Sequence, residues 1–176
     1  MLLNARGSEL LVIDVQPRLM AAIDQAAAMI LNLTRLTRAA RMLGVPARFA
    51  EQSPEKLGAT LPELGARPEE VMEKATFDAL ATPSVAERLN LEATLVVAGA
   101  EAHVCVTQSV LDLLGRGAKV AVVADAVGSR APANREAGLA RMARHGAEIV
   151  TTEMVLFEWL GAATHPEFRA VTALIK

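Results

Sequence analysis

Apolar positions along the chain fall into two kinds of run, and the two alternate. The short kind is represented by Leu10–Asp14 (LLVID), Pro46–Ala50, Glu70–Glu73, Ala93–Gly99 (ATLVVAG), Ala118–Ala124 (AKVAVVA) and Ala147–Val150. These runs are rich in β-branched residues and show no in-out alternation, which predicts strands buried on both faces. The long kind is amphipathic. Met29, Leu33, Leu36, Ala40 and Leu43 share one face of a predicted helix, with Arg35, Arg38 and Arg41 elsewhere on its surface, and Gly44 with Pro46 beyond it ends the run. Val106, Val110, Leu113 and Leu114 form a second stripe that stops at the Gly115–Gly117 pair, and Pro132 opens a third helix running to His145–Gly146. Glu153–Leu160 and Pro166–Ile175 close the chain as helices. Regular strand–helix alternation predicts an α/β fold: one domain over residues 1–176, a doubly wound, mainly parallel, six-stranded Rossmann-like sheet with helices on both faces. In such sheets ligands sit at the carboxyl ends of the strands. Glu51–Pro68 is the longest stretch without a clear element, and a loop of that length is usually functional or an interface.

Composition narrows the classes. The 176 residues are 52% hydrophobic and 22% charged, with 18 Lys and Arg against 20 Asp and Glu for a net charge of −2, so the chain is too apolar and too evenly charged to be disordered. Basic residues form no stripe, and four Phe, one Trp and no Tyr make a poor stacking platform, so nucleic acid is not an expected partner. The single cysteine excludes an internal disulfide or a thiolate-rich zinc site and suits a reducing, cytoplasmic setting. Charges at Arg6, Glu9 and Asp14 leave the N-terminal apolar stretch too short for a membrane span or signal segment. His103, His145 and His165 show no metal-binding spacing, and Gly99, Gly115 and Gly117 make no GxGxxG fingerprint, so neither a metal nor a dinucleotide cofactor is expected.

Three residues stand at strand carboxyl ends as the odd member of their setting: Asp14, Lys74 and Cys105. Taken singly, each has an ordinary reading as a turn cap, a surface charge and a small core residue. Taken together they suggest chemistry. Cys105 is placed to open the helix carrying Val106 and Val110, where unpaired N–H groups and the helix dipole, with a nearby lysine, would lower the pKa of the thiol. The same N–H groups would hold an oxyanion, and Asp14 would act as general base. His103, two residues before Cys105, fits a loop histidine better than a Cys–His dyad, and Asp125, Ser129 and Arg130 are read as shaping the turn after the fifth strand.

LLVIDVQ, KATF at Lys74–Phe77, and GAEAHVCVTQSVLDLL followed by AVVADAVGSR resemble the isochorismatase-like cysteine hydrolase family over about Glu9 to Val155. The resemblance implies the isochorismatase-like version of the fold and a catalytic triad of Asp14, Lys74 and Cys105. It also implies a cis peptide joining Ala100 to Glu101, oxyanion donors at the N–H groups of Glu101 and Cys105, and a pocket lined by Gln16 and Phe77. Nicotinamidases of the family carry an Asp and several His after the second strand. Here that segment reads RFAEQSPEKLGATLPEL, with no histidine, which argues against both a metal and nicotinamide. Members that cleave isochorismate typically lack the cysteine. The best resemblance is to a subgroup whose physiological substrates are poorly defined.

The expectation is therefore a metal-independent cysteine hydrolase acting on a small amide or related C–N substrate through a thioester. The alternatives are an oligomeric scaffold that uses the Glu51–Pro68 loop as a partner surface, and a thiol redox sensor. The Pro-rich loop and the apolar VTALIK terminus point to a homo-oligomer.

Overall fold

Each of the six short apolar runs becomes a strand in the computed structural model, which describes Met1–Lys176 throughout. The strands are β1 (Ser8–Ile13), β2 (Ala47–Gln52), β3 (Val71–Lys74), β4 (Thr94–Ala100), β5 (Lys119–Gly128) and β6 (Glu148–Val150). They form one sheet in the order β3-β2-β1-β4-β5-β6, and every pairing is parallel. The main helices are α1 (Ala26–Leu43), α2 (Thr107–Gly115), α3 (Pro132–Arg144), α4 (Thr152–Leu160) and α5 (Phe168–Thr172). On α1 the predicted stripe of Met29, Leu33, Leu36 and Ala40 is the buried face, and Gly44 ends the helix in the left-handed region at φ 69, its amide donating to Ala40 O.

The missing alternation in the strands has a direct cause. Leu10 and Val12 of β1 join Phe49, Val96 and Ala98 in a core under α1 and α4, whereas Leu11 and Ile13 join Leu95, Val97, Val106 and Leu113 in a second core under α2 and α3. Both faces are dry, so every position of β1 is apolar or paired. Each fully buried Leu or Ile here contributes about 1.5–3 kcal/mol. Chain connections run from β1 to β2 and β3 on one side, then return to place β4 on the other. The crevice at this reversal lies between the carboxyl ends of β1 and β4, where doubly wound sheets bind ligands.

Three expectations change. The Glu51–Pro68 segment is not structureless: single helical turns form at Pro54–Leu57 and Pro62–Leu64, Leu64 is buried in the first core, and Leu61 N–H donates to Val15 O at 2.9 Å. It is a packed cover over the end of β1, because its prolines start short turns and its leucines reach the core. The VTALIK terminus likewise folds back on its own protein, with Val171 buried and Leu174 and Ile175 against the first core. Strand β5 extends past the predicted Ala124 to Gly128, its pairing with β4 shifting between Val97 and Gly99, so Asp125 lies within the strand. No helix is long and apolar enough to cross a membrane.

Candidate active site

Asp14 is the first residue past β1. Its amide still pairs, donating to Ala50 O at 2.9 Å, but its φ of 55 turns the chain out of the strand. Left-handed backbone is uncommon outside glycine, and Asp is among the residues that tolerate it. The side chain is fully buried, and so is that of Lys74, the last residue of β3. Lys74 reaches across the end of β2 to place Nζ 2.8 Å from Asp14 Oδ2. Its other two protons go to Gln52 Oε1 at 2.7 Å and Thr76 O at 3.2 Å. The ammonium therefore has no donor left over. Gln52 Nε2 donates to Ala75 O at 2.8 Å, which fixes the amide with its oxygen toward Lys74.

Gln16, expected in the pocket, performs a different task. It is fully buried, its Oε1 accepts from Gln52 N–H at 2.9 Å, and its Nε2 donates to Gln52 O at 3.1 Å and Gly58 O at 2.5 Å. All its bonding capacity near the site goes to holding the end of β2 and the covering loop, so it positions Gln52 and, through it, Lys74. Gln52 is the residue that sequence reading missed. Its only signal was a polar residue ending a strand next to two other strand ends.

From the other side, β4 delivers the cysteine. Gly99 has φ 133, and a Cβ there would lie 2.1 Å from Ile13 O, so only glycine lets β4 pass this close to the end of β1. The expected cis bond between Ala100 and Glu101 is not present: no peptide bond in the chain is cis. The chain reverses instead through Glu101 in the left-handed region, at φ 54 and ψ 65. Its N–H finds no acceptor in the protein. A π-helical turn, Ala102–Val106, follows and runs into α2. Cys105 thus sits inside a wide turn rather than at the first position of an α-helix. Its O accepts from Ser109 Oγ at 2.8 Å, and Ser109 Oγ in turn receives Ala79 N–H at 2.9 Å. Gly138 of α3 lies against this turn, where a Cβ would come within 2.9 Å of Ala102 O.

The electrostatics overturn one expectation. Cys105 is 5% exposed, and burial, reinforced by the negative charges of Asp14 and Glu101, pushes its thiol up to about 12 despite Lys74. The lysine cannot offset burial because its protons are directed at Asp14, Gln52 and Thr76. Burial also raises the pKa of Asp14, with Lys74 and the thiol opposing. Asp14 Oδ1 has no hydrogen-bond partner by geometry and is the acceptor available to the thiol proton. The resting site is a neutral thiol beside a lysine-bound carboxylate, not a preformed thiolate.

The remaining candidates divide. Phe77 is 57% exposed and encloses nothing; it follows the last pairing of β3, where no element covers it. Asp125 Oδ1 accepts from Thr152 N–H at 2.7 Å and Thr152 Oγ1 at 2.9 Å, tying down the start of α4. Glu101, His103, Ser129 and Arg130 gather beside Cys105: Glu101 Oε1 is 2.6 Å from Arg130 Nε, and His103 Nδ1 lies 3.3 Å from Glu101 Oε2 and 3.0 Å from Ser129 Oγ. No three His, Cys, Asp or Glu side chains are grouped to hold a metal ion. A cleft of about 370 Å³ between α1 and the start of α3 includes none of Asp14, Lys74 and Cys105.

The Isochorismatase domain family matches residues 8–154. Isochorismatase domain-containing protein 2 of Danio rerio is 36% identical over 176 residues, 98% of this chain and 89% of that protein. Among solved structures, MAR1 ribonuclease from Caenorhabditis elegans has a TM-score of 0.92 at 34% identity, covering 99% of this chain and 92% of the other. The YcaC gene product of Escherichia coli, described as an octameric hydrolase of unknown specificity, has a TM-score of 0.87 at 20% identity, covering 98% and 95%, a likeness of fold alone.

Proposed function

The chain belongs to the isochorismatase family, and on that premise we propose that it is a cysteine hydrolase that splits a small amide or related C–N substrate through a thioester on Cys105. The observation that carries this reading is the convergence of Asp14, Lys74 and Cys105, far apart in sequence, on one buried point. In the acylation step Asp14 takes the thiol proton as the Sγ–C bond forms, and the carbonyl becomes an oxyanion. The N–H groups of Glu101 and Cys105 face that charge as donors. Collapse breaks the C–N bond, and Asp14 returns the proton to the leaving nitrogen. Water then attacks the thioester with Asp14 again as base, which releases the acid and restores the thiol. Lys74 keeps Asp14 ionised while buried, since an unpaired carboxylate there would take up a proton.

The thiol's high pKa fits this scheme, in which deprotonation accompanies attack, and disfavours a redox sensor, which needs standing thiolate. A scaffold role for the Glu51–Pro68 segment is disfavoured by its packing onto β1. We further propose that the protein is cytoplasmic and self-associates. Leu31, Met154 and Phe157 stay exposed on α1 and α4, which lie over the same face of the sheet, and light scattering measures the assembly.

A panel of small amides incubated with the protein, followed by intact mass measurement, tests the main reading. An acyl adduct on wild type and none on Cys105→Ser is expected; turnover that survives Cys105→Ser refutes it. The likeness to MAR1 ribonuclease supports a second reading, RNA cleavage. A net charge of −2 and a buried lysine already committed to Asp14 leave little to hold a phosphodiester backbone. Cleavage of a labelled RNA that disappears in Cys105→Ser would favour it over amide hydrolysis.

A further inference from the structure

The ends of β3 and β4 carry Lys74 and the approach to Cys105, and no ladder joins them. In the order β3-β2-β1-β4 they stand three strand spacings apart, about 14 Å, so sheet register alone does not set how Cys105 meets Lys74. The gap is closed away from the sheet. After β3 the chain turns back as a braced loop. Thr76 O takes the third proton of Lys74, Thr76 Oγ1 donates to Asp78 O at 2.6 Å, and Asp78 Oδ1 accepts from Leu80 N–H at 2.9 Å. The loop arrives at Ala79, which is buried and shares the second core with Cys105 and Val106.

Ser109 of α2 makes the connection. It is fully buried, and its Oγ accepts Ala79 N–H at 2.9 Å while donating to Cys105 O at 2.8 Å. An amide can only donate, so the hydroxyl proton is committed to the carbonyl and both bonds are held at once. A helical serine often donates to the carbonyl four residues back. The second bond, from an amide 30 residues earlier, is not explained by that local habit. One oxygen thus ties the loop that receives a proton of Lys74 to the backbone of Cys105, which itself lies in a π-helical turn, a rare conformation frequent at functional sites.

We propose that Ser109 is a positioning residue for the nucleophile: by bonding Ala79 and Cys105 together it holds the thiol within proton-transfer reach of Asp14 Oδ1 while Lys74 holds Asp14. This rests on the reading of Cys105 as the nucleophile. Proton transfer needs heavy atoms within about 3 Å, and a misplacement of about 1 Å costs on the order of 100-fold in rate. Alkylation by iodoacetamide needs neither Asp14 nor the oxyanion donors, only thiolate within reach of solvent. Releasing the turn therefore slows the first reaction and speeds the second.

Ser109→Ala and Ser109→Thr test this, the threonine keeping the hydroxyl. In Ser109→Ala, kcat toward the amide that acylates the wild type is expected to fall about 10–100-fold with KM within about twofold. Iodoacetamide at pH 7.5, followed by intact mass, is expected to modify its Cys105 at least about tenfold faster than in the wild type, at a rate that urea below the unfolding transition leaves unchanged. Ser109→Thr is expected to match the wild type in both. If the orphaned Ala79 amide keeps Ser109→Ala from folding, Ser109→Gly, which opens room for a water on that amide, takes its place with the same outcome expected. A folded Ala or Gly variant with wild-type kcat, a loss confined to KM, a fall in kcat shared by Ser109→Thr, or alkylation no faster than wild type or climbing steeply with urea overturns the proposal. Failure of the parent reading differs: no amide acylates wild-type Cys105, yet the alkylation rates still separate Ser109→Ala from the wild type.

Discussion

The protonation state of Cys105 can be measured directly. An ordinary thiol titrates near 9.0, whereas this one is pushed up to about 12, a difference of three decades in thiolate population at any pH below 9. At pH 7.5 about 3% of an ordinary thiol is thiolate, against about 0.003% here. Iodoacetamide should therefore modify Cys105 about a thousandfold more slowly than N-acetylcysteine, with a rate that climbs tenfold per pH unit and shows no inflection below about pH 10. Stability supplies a second readout. A raised pKa means that the folded state binds the proton more tightly, so this contribution is complete below pH 9 and is lost as pH rises from 9 toward 12. Relative to Cys105→Ala, in which the other alkaline titrations cancel, the wild type should lose about 3 kcal/mol between pH 8 and pH 11 in urea denaturation. An alkylation inflection below pH 8.5, or a wild-type stability that tracks Cys105→Ala across this range, would refute the neutral-thiol site and restore a thiolate stabilised by Lys74.

Other perturbations bear on the same construction. Lys74→Met leaves Asp14 buried without its cation and should cost about 3–5 kcal/mol in urea melts, much of it recovered in Asp14→Asn/Lys74→Met, since Asn also tolerates the left-handed backbone. Gly99→Ala drives a methyl group into Ile13 O and should cost at least about 3 kcal/mol in the same melts, or prevent folding; near wild-type stability would mean that β4 does not approach β1 so closely. Gln52→Leu frees one proton of Lys74 and should lower kcat toward whichever amide the panel identifies by about 10–100-fold, with little change in KM. Gln52→Glu places a second carboxylate on Lys74 and so should raise the acid limb of the pH profile by weakening its hold on the Asp14 charge; an unmoved limb would reduce Gln52 to a structural role.

Much of the architecture is legible in the sequence itself. All six strands and the five main helices lie where the apolar patterns put them, because burial on both sheet faces and on one helix face leaves a mark on every residue of an element. The ordered Asp14, Lys74 and Cys105 were legible for a related reason: a charge or a thiol directly after an apolar run is out of place unless strand ends meet. Phe77 misled, since adjacency in sequence to Lys74 says nothing about what covers a side chain. Gln16 reads from sequence as pocket lining, but its partners Gln52 and Gly58 come from a segment 36–42 residues away, and only their arrival makes it a clamp.

The local pattern alone thus determined which segments are strands and helices and that Asp14, Lys74 and Cys105 stand at the carboxyl ends of strands. Tertiary structure decided their state. Whether Cys105 is thiol or thiolate depends on how much water the folded walls exclude and on which way Lys74 points its protons, and both are set by contacts between β1, β2, β3 and the turn after β4. The pairing of Glu101 with Arg130, 29 residues apart, likewise exists only because β4 and β5 lie side by side. Desolvation and charge pairing act through space, and a linear sequence carries distance along the chain but not the distances between its strands.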